Sequence, residues 1–215
     1  PLVVDDCSLT LTEGETVAVI GPTGAGKSTV AKLITRVYDP DDGVVAVGGE
    51  DLRSFTTASL RRHIGVVPQE PFLFKGTIAD NVAYGRPDAS REEIEHAIEA
   101  VGAADGLRRL PEGLDTAVLE EGISLTPQER QLVALARAWL VQPDILVLDE
   151  ATSSLDEQTE TAVLHALEKR HGTTIFVTHR EQVAAAADRC LVIDARPAEA
   201  DPPARAASAT ALSEV

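Results

Sequence analysis

The stretch GPTGAGKS, residues 21–28, decides the fold class of this chain. It fits the pattern G-x-x-x-x-G-K-[S/T], in which backbone N–H groups at a helix N-terminus cradle a polyphosphate. A short apolar run precedes it at residues 16–20, and a helix is predicted at residues 28–37 with Val37 as the last residue on its apolar face. This strand–loop–helix context favours a phosphate loop over an ordinary glycine-rich turn and predicts binding of a nucleoside triphosphate.

The residue types in this loop match the needs of a bound polyphosphate. Glycines at positions 21, 24 and 26 allow turns and a close approach of the backbone that a Cβ would block. Lys27 can reach the outer phosphates, and the hydroxyl of Ser28 can ligate Mg²⁺. The loop therefore predicts a nucleotide that is held together with Mg²⁺.

Length and composition exclude several classes of protein. The 215 residues suffice for one large domain, or a core plus a subdomain. The net charge is −16 and no basic run occurs, so nucleic acid is not an expected partner. No apolar run approaches the roughly 18 residues of a membrane span. Because the chain begins with Pro1 and contains no Met, we expect it to be part of a longer polypeptide.

Apolar runs predict the strands. Residues 8–12 and 44–47 are interpreted as short antiparallel strands beside the phosphate-loop unit. Residues 145–148, 174–177 and 190–193 are predicted to be parallel strands that are buried on both faces. Together these runs indicate an α/β fold with a small antiparallel β subdomain.

The middle and the end of the chain have different compositions. Residues 76–140 are predicted to be mostly helical, with a capping box from Ser90 to Glu93 at the start of one amphipathic helix. The tail at residues 196–215 is rich in Ala, Pro, Asp and Ser without periodicity, which predicts a disordered linker or end. The helical stretch is therefore interpreted as an inserted subdomain.

Two acids close the apolar strand that follows this helical stretch. Asp149 and Glu150 are expected at the carboxyl edge of the sheet, where α/β proteins hold ligands. Asp149 suits a Mg²⁺ role, usually through water, and Glu150 suits polarising a water for attack on the γ-phosphate. An acid commonly ends a buried strand, so the acid pair alone is weak evidence. Together with the phosphate loop it is strong evidence for a nucleotide site.

Further motifs match one family. They are VVPQ at residues 66–69, QLVALARA at 131–138, SSLD at 153–156 and TH at 178–179. With the phosphate loop and the acid pair, they resemble the nucleotide-binding domain of ATP-binding-cassette (ABC) transporters over about residues 1–195. The stretch FLFKGTIADNV at residues 72–82 is similar to the exporter branch, in which a membrane domain precedes the cassette in the same chain.

The resemblance implies a role for each matching position. Gln69 would ligate Mg²⁺, sense the γ-phosphate and transmit its state to the membrane domain, and His179 would contact the γ-phosphate as a switch. Glu150 would be the general base, and Ser28 and Asp149 would complete the Mg²⁺ ligands. The implied ATP-binding residues are Gly21, Pro22, Thr23, Gly24, Ala25, Gly26, Lys27, Ser28 and Thr29.

Other positions are implied to face partners. Ser154 and Asp156 would lie on a loop that crosses to a second cassette. Glu120 falls where exporters contact the coupling helices of the membrane domain, although Leu119 replaces the usual glycine. The implied partners are thus a second nucleotide-binding domain and a transmembrane domain.

The family signature Leu-Ser-Gly-Gly-Gln is altered in this chain. Its position holds Leu125, Thr126, Pro127, Gln128 and Glu129. In the family this segment opens a helix whose N-terminus grips the γ-phosphate bound to the opposite subunit. Pro127 has no N–H to offer, Gln128 adds a side chain where glycine lets the backbone approach, and Glu129 adds a negative charge. Thr126 and Glu129 still predict a capping box with Pro127 at the first helical position.

An altered signature beside an intact Glu150 and His179 favours an asymmetric pair. In the family two cassettes stack head to tail, and each ATP lies between one subunit's phosphate loop and the other's signature. A non-identical partner with an intact signature would leave one hydrolytic site, to which this chain contributes the catalytic residues. A homodimer that tolerates the altered signature is the alternative.

One expected element is absent from the sequence. Exporters stack adenine on an aromatic residue upstream of the phosphate loop, but no Phe, Tyr or Trp precedes Tyr38. We expect that aromatic residue just before Pro1. Residues 1–215 alone are therefore predicted to bind ATP weakly and to discriminate poorly among purine nucleotides, because a base–aromatic stack is worth about 1–3 kcal/mol.

These features predict an α/β P-loop NTPase with a RecA-like core at about residues 1–75 and 141–195. A helical subdomain is inserted at about 76–140, and an antiparallel β subdomain flanks the core. The predicted reaction is Mg²⁺-dependent hydrolysis of ATP that powers export, at the cytoplasmic face of a membrane. The alternatives are the ATPase subunit of an importer, a soluble ABC ATPase and a non-catalytic regulatory half.

Overall fold

A computed structural model describes residues 4–5 and 7–193 of the chain, without the side chain of Arg108. The predicted disordered tail at residues 196–215 lies outside the described residues. The strands are β1 (Thr16–Ile20), β2 (Ala46–Val47), β3 (Glu50–Asp51), β4 (Ile64–Val67), β5 (Gly76–Thr77), β6 (Ala117–Val118), β7 (Ile145–Asp149), β8 (Thr173–Val177) and β9 (Arg189–Val192). The helices are α1 (Lys27–Ile34), α2 (Thr57–His63), α3 (Ile78–Val82), α4 (Arg91–Ala100), α5 (Ala104–Arg108), α6 (Pro127–Val141), α7 (Glu157–Glu168) and α8 (Glu181–Ala185).

A five-stranded parallel sheet forms the centre of the molecule. Its order is β4-β7-β8-β1-β9, so the strand before the phosphate loop lies between β8 and β9. β7, which ends at Asp149 and is followed by Glu150, lies between β4 and β8. Because all five strands are parallel, their carboxyl ends meet at one edge of the sheet, and the α/β fold prediction is confirmed.

The sheet separates two apolar cores because successive side chains on a strand point to opposite faces. Val17, Val19, Val147, Ile175 and Val177 pack with α1 in one core. On the other face, a second set from the same strands packs against the helical segment. This second set is Ala18, Leu146, Leu148 and Phe176. The central strands are therefore buried on both faces, as their unbroken apolar runs predict.

The inserted segment is helical, as predicted, and it contains α3, α4, α5 and α6. Its start and its late part are joined by the antiparallel pair β5–β6. The predicted capping box at the start of α4 is confirmed, since Ser90 accepts from the Glu93 N–H and the Glu93 carboxylate accepts from the Ser90 N–H. Helices α4 and α6 pack against each other within the second core.

Three local predictions are wrong. Helix α1 ends at Ile34 rather than at residue 37, because Arg36 adopts φ 50°, and Val37 is 51% exposed rather than buried. Residues 8–12 form no strand, so the only antiparallel pair of the proposed β subdomain in the described part of the chain is β2–β3, with two residues each. β9 is largely exposed because, among the described residues, it is an edge strand that pairs with β1 alone.

Candidate nucleotide-binding and catalytic site

The predicted site residues follow the carboxyl ends of four neighbouring strands. The phosphate loop follows β1, Gln69 follows β4, Glu150 follows β7 and His179 follows β8. Backbone hydrogen bonds continue past the strand ends, from Glu150 N to Val177 O at 2.8 Å and from Thr178 N to Val19 O at 3.0 Å. The loops that carry the site therefore start from a rigid edge, which is where open α/β sheets bind ligands.

The backbone of the phosphate loop surrounds the side chain of Lys27, which belongs to the same loop. The ammonium of Lys27 donates to the carbonyl oxygens of Gly21 and Pro22, both at 2.9 Å, and the residue is only 6% exposed. Gly26 caps α1 with φ 96°, a left-handed conformation that favours glycine. A Cβ on Gly21 would collide with the carbonyl oxygen of Ile193, so glycine is required there by contact. The first turn of α1 holds no acid.

Ser28 and Asp149 lie together beside the loop. The Ser28 hydroxyl donates to Asp149 Oδ1 at 3.0 Å, although 121 residues separate them. Burial raises the pKa of Asp149, and the nearby Glu150 carboxylate raises it further, while the Ser28 hydroxyl and the ammonium groups of Lys27 and Lys32 oppose this shift. A hydroxyl and a carboxylate at this spacing suit Mg²⁺, which takes few protein oxygens and completes its shell with water and phosphate.

Glu150 lies between the other two predicted catalytic residues. Its Oε2 accepts from Gln69 Nε2 at 3.1 Å, and its Oε1 is 3.3 Å from His179 Nδ1. The Glu150 side chain is 19% exposed, and its backbone adopts φ 50°. A non-glycine residue in this conformation costs on the order of 1 kcal/mol or more and is common at functional sites. Gln69 thus contacts the general-base candidate rather than the Ser28–Asp149 pair.

An ion pair between Arg180, the residue after His179, and the buried Glu160 was not predicted. Arg180 Nη1 lies 2.8 Å from Glu160 Oε1 and donates to the Thr152 carbonyl at 3.1 Å. Glu160 is only 1% exposed, whereas the Arg180 side chain is 29% exposed. The sequence does hold a signal, because Glu160 shares the helical spacing of the buried residues Val163, Leu164 and Leu167.

Residues 125–129, which are predicted to be an altered signature, form a self-capped helix start. Thr126 N–H donates to Glu129 Oε2 at 2.7 Å, and Glu129 N–H donates to Thr126 Oγ1 at 3.2 Å. Pro127 is the first helical residue, so the predicted capping box is confirmed. Gln128 Nε2 also donates to Asp156 Oδ2 at 2.6 Å, which brings the signature segment and the Asp156 loop together within one chain.

Two predicted partner-facing positions remain, Glu120 and Ser154. Glu120 is exposed and begins a 3-10 turn at Glu120–Gly122, next to the exposed Leu119, whereas Gly122 is buried. Ser154 is half-buried in the loop before α7. Ser154 thus lies four residues after Glu150, whereas Glu120 lies in the inserted helical segment.

An apolar groove of about 410 Å³ opens beside the segment that leads to Gln69. The aromatic rings of Phe74 and Tyr84 stack at 4.1 Å between centroids, and the Arg137 guanidinium lies 5.9 and 5.7 Å from the two ring centres. Phe72 is more than half exposed at its rim. Sequence reasoning did not identify this groove, because its walls come from the core and from the helical segment.

Comparison with known proteins agrees with these observations. The chain matches the family model for ABC transporters over residues 4–153. It is 47% identical over 192 residues to ATP-binding cassette sub-family B member 6 of Homo sapiens, a match that covers 88% of this chain and 23% of that protein. It is 45% identical over 189 residues to the ATM1-type heavy metal exporter of Novosphingobium aromaticivorans, covering 87% of this chain and 31% of that one.

A solved structure has the same fold. The structure of a bacterial Atm1-family ABC exporter with ATP bound matches with a TM-score of 0.80 and 45% identity, covering 84% of this chain and 32% of that one. The chain therefore spans about a quarter to a third of the length of these relatives. None of the helices within the described residues has the length and apolar composition needed to cross a bilayer. The chain belongs to the ABC transporter family, as a nucleotide-binding domain of the exporter type.

Proposed function

We propose that this domain hydrolyses ATP to ADP and phosphate and thereby powers export, as the catalytically competent half of an asymmetric pair of cassettes. The observation that carries the proposal is the position of Glu150, whose two carboxylate oxygens lie 3.1 Å from Gln69 and 3.3 Å from His179. A purely structural cassette has no need for a general base that is held in this way.

The chain's own residues suit each part of the reaction. Lys27 would exchange its carbonyl partners for phosphate oxygens, because its ammonium already lies inside the loop. Glu150 would accept a proton from the attacking water, oriented by the Gln69 amide, and His179 would contact the γ-phosphate. Mg²⁺, which Ser28 and Asp149 would hold with Gln69 nearby, would neutralise negative charge on the phosphates.

The asymmetric pairing rests on the first turn of α6. The capping box occupies the N–H groups of Thr126 and Glu129, and Pro127 has none. The carboxylates of Glu129 and Asp156 add negative charge beside this turn. Such a turn is poorly suited to grip the γ-phosphate of a partner's ATP, because that anion needs donors and positive potential. A partner with an intact signature would complete the site that contains Glu150.

We also propose that the full-length protein contains a transmembrane domain, which places this cassette at the cytoplasmic face of a membrane. The relatives are about three to four times longer than the matched region, which leaves room for such a domain. The apolar groove with Phe72, Phe74 and Tyr84 offers it a contact surface. Pro68 lies in the wall of this groove and directly precedes Gln69, which contacts Glu150.

The test of hydrolysis uses the complete, purified transporter that contains this chain. Glu150→Gln keeps size and shape but removes the base, so ATP turnover is expected to fall at least about 100-fold while ATP binding changes less than about twofold. Glu92→Gln on the exposed face of α4 is the matched control and is expected to be silent. Retention of more than half of the turnover by Glu150→Gln would exclude the proposed role.

A further inference from the structure

The side chain of Gln128 joins two helix N-termini. From the first turn of α6, its Nε2 donates to Asp156 Oδ2 at 2.6 Å and to Thr159 Oγ1 at 3.3 Å. α6 belongs to the inserted helical segment, whereas α7 follows β7 of the central sheet. The contact therefore connects the altered signature to the loop that is expected to face the partner cassette.

The acceptor is itself held in place. Asp156 caps α7, with Oδ1 accepting the Thr159 N–H at 2.9 Å and Oδ2 accepting the Thr159 hydroxyl at 2.9 Å. The Thr159 N–H first, and the Gln128 amide next, hold the pKa of Asp156 below its usual range, because both donors favour the charged form. The carboxylate is thus oriented from both helices at once.

The contact depends on a residue by which this chain departs from its family. Glycine, the usual residue at this position of the signature, has no side chain that could donate to Asp156. Gln128 is half-buried, and its side-chain amide has two N–H groups. Its side chain is long enough to reach from α6 to Asp156 at the N-terminus of α7. The substitution that weakens the anion site therefore adds a link between subdomains.

We propose that Gln128 is a positioning residue, which fastens Asp156 to the first turn of α6 so that the two partner-facing segments of this cassette move as one unit. The inference rests on the proposed function, since only in a paired cassette do both segments face a partner. It assigns the altered signature a structural role in the pair in place of its role in anion binding.

Hydrogen exchange of the complete transporter without nucleotide tests the link directly. Gln128→Glu places a carboxylate against Asp156, so amides at residues 153–159 are expected to exchange about two- to tenfold faster, the range for loss of one hydrogen bond. Gln128→Lys retains an N–H donor, so its exchange rates at these amides are expected to stay within about twofold of those of the parent. The control Gln158→Leu, on the exposed face of α7, is expected to stay within the same range. Equal exchange in Gln128→Glu, Gln128→Lys and the parent would overturn the proposal.

A double-mutant comparison of ATP turnover separates positioning from a general structural effect. Gln128→Glu is expected to change turnover at least twofold in the parent and to have no further effect in the Asp156→Ala background. The same effect in both backgrounds would contradict the link. Absence of turnover in the parent would count against the proposed function alone, because the exchange experiment reports on Gln128 without hydrolysis.

Discussion

Two helix N-termini in this chain differ in their suitability for binding an anion. α1 has no side-chain cap and no acid in its first turn, and a buried lysine lies at its start. α6 is capped by its own Thr126 and Glu129, begins with Pro127 and carries an acid in its first turn. Capping of a helix start and binding of an anion therefore compete, because both use the same few N–H groups.

The largest effect is expected at the open N-terminus, α1. Lys27→Ala removes the only buried cation of the loop and should weaken ATP binding about 100-fold, which corresponds to roughly 3 kcal/mol for a charge-assisted contact. Titration of the complete transporter with a fluorescent ATP analogue measures this. Lys75→Ala, at an exposed position, is the control, and equal affinities of the two variants would contradict the assignment.

The next largest effect is expected on stability, at the close contact between Gly21 of the phosphate loop and the backbone of Ile193. Gly21→Ala introduces a Cβ that meets the Ile193 carbonyl oxygen, so the free energy of unfolding should fall by about 1–3 kcal/mol, as for other overpacked sites. In Gly14→Ala the added Cβ meets no other atom, so the only penalty is the unfavourable φ of 80°. The free energy of unfolding should therefore fall less than in Gly21→Ala. Chemical denaturation of both variants compares them, and an equal loss would show that contact is not the cause.

Restoring free N–H groups at the N-terminus of α6 should have a smaller effect, on ATP affinity. Replacing Pro127 and Gln128 by Gly and Glu129 by Gln gives Leu-Thr-Gly-Gly-Gln, which differs from the family signature only at Thr126, and removes one acid from the first turn of α6. ATP affinity at the site that this turn completes should rise about tenfold, because N–H donors and positive potential become available. Binding stoichiometry and affinity of the complete transporter report this. No change would mean that the native turn already binds the anion.

The smallest effect is expected from the cap itself. Thr126→Ala removes the side-chain acceptor of α6 and should lower the free energy of unfolding by about 1 kcal/mol. Thr23→Ala, in the loop before the uncapped α1, should change it by less than about 0.5 kcal/mol. Thermal unfolding of the two variants under identical conditions gives the difference, and equal losses would contradict the contrast between the two helix starts.

Much of the site could be predicted because it depends on spacing along the chain. The phosphate loop, the acids at positions 149 and 150 and the polar residues after β4 and β8 each lie at the end of an apolar strand. Parallel strands bring such ends to one edge, so the grouping of Glu150 with Gln69 and His179 follows from the pattern. The capping box of α6 is likewise local and needs only the Thr126–Glu129 spacing.

What could not be predicted depends on tertiary contacts. Val37 continues the apolar period of α1, but the helix ends before it because Arg36 turns to φ 50°. Gln128 and Asp156 are 28 residues apart in separate helices, and no sequence pattern pairs them. The groove beside Phe74 is likewise built from residues of two subdomains. These features arise from how the elements pack rather than from any single segment.

The measurement that tests the central claim most directly is ATP turnover of the complete transporter with resolved subunit composition. It compares Glu150→Gln in this chain with the same substitution of the matching acid in the partner cassette. One competent site predicts a loss of at least about 100-fold from Glu150→Gln and less than about a twofold change from the partner substitution. Equal losses from the two substitutions, or a transporter built only from copies of this chain, would contradict the account.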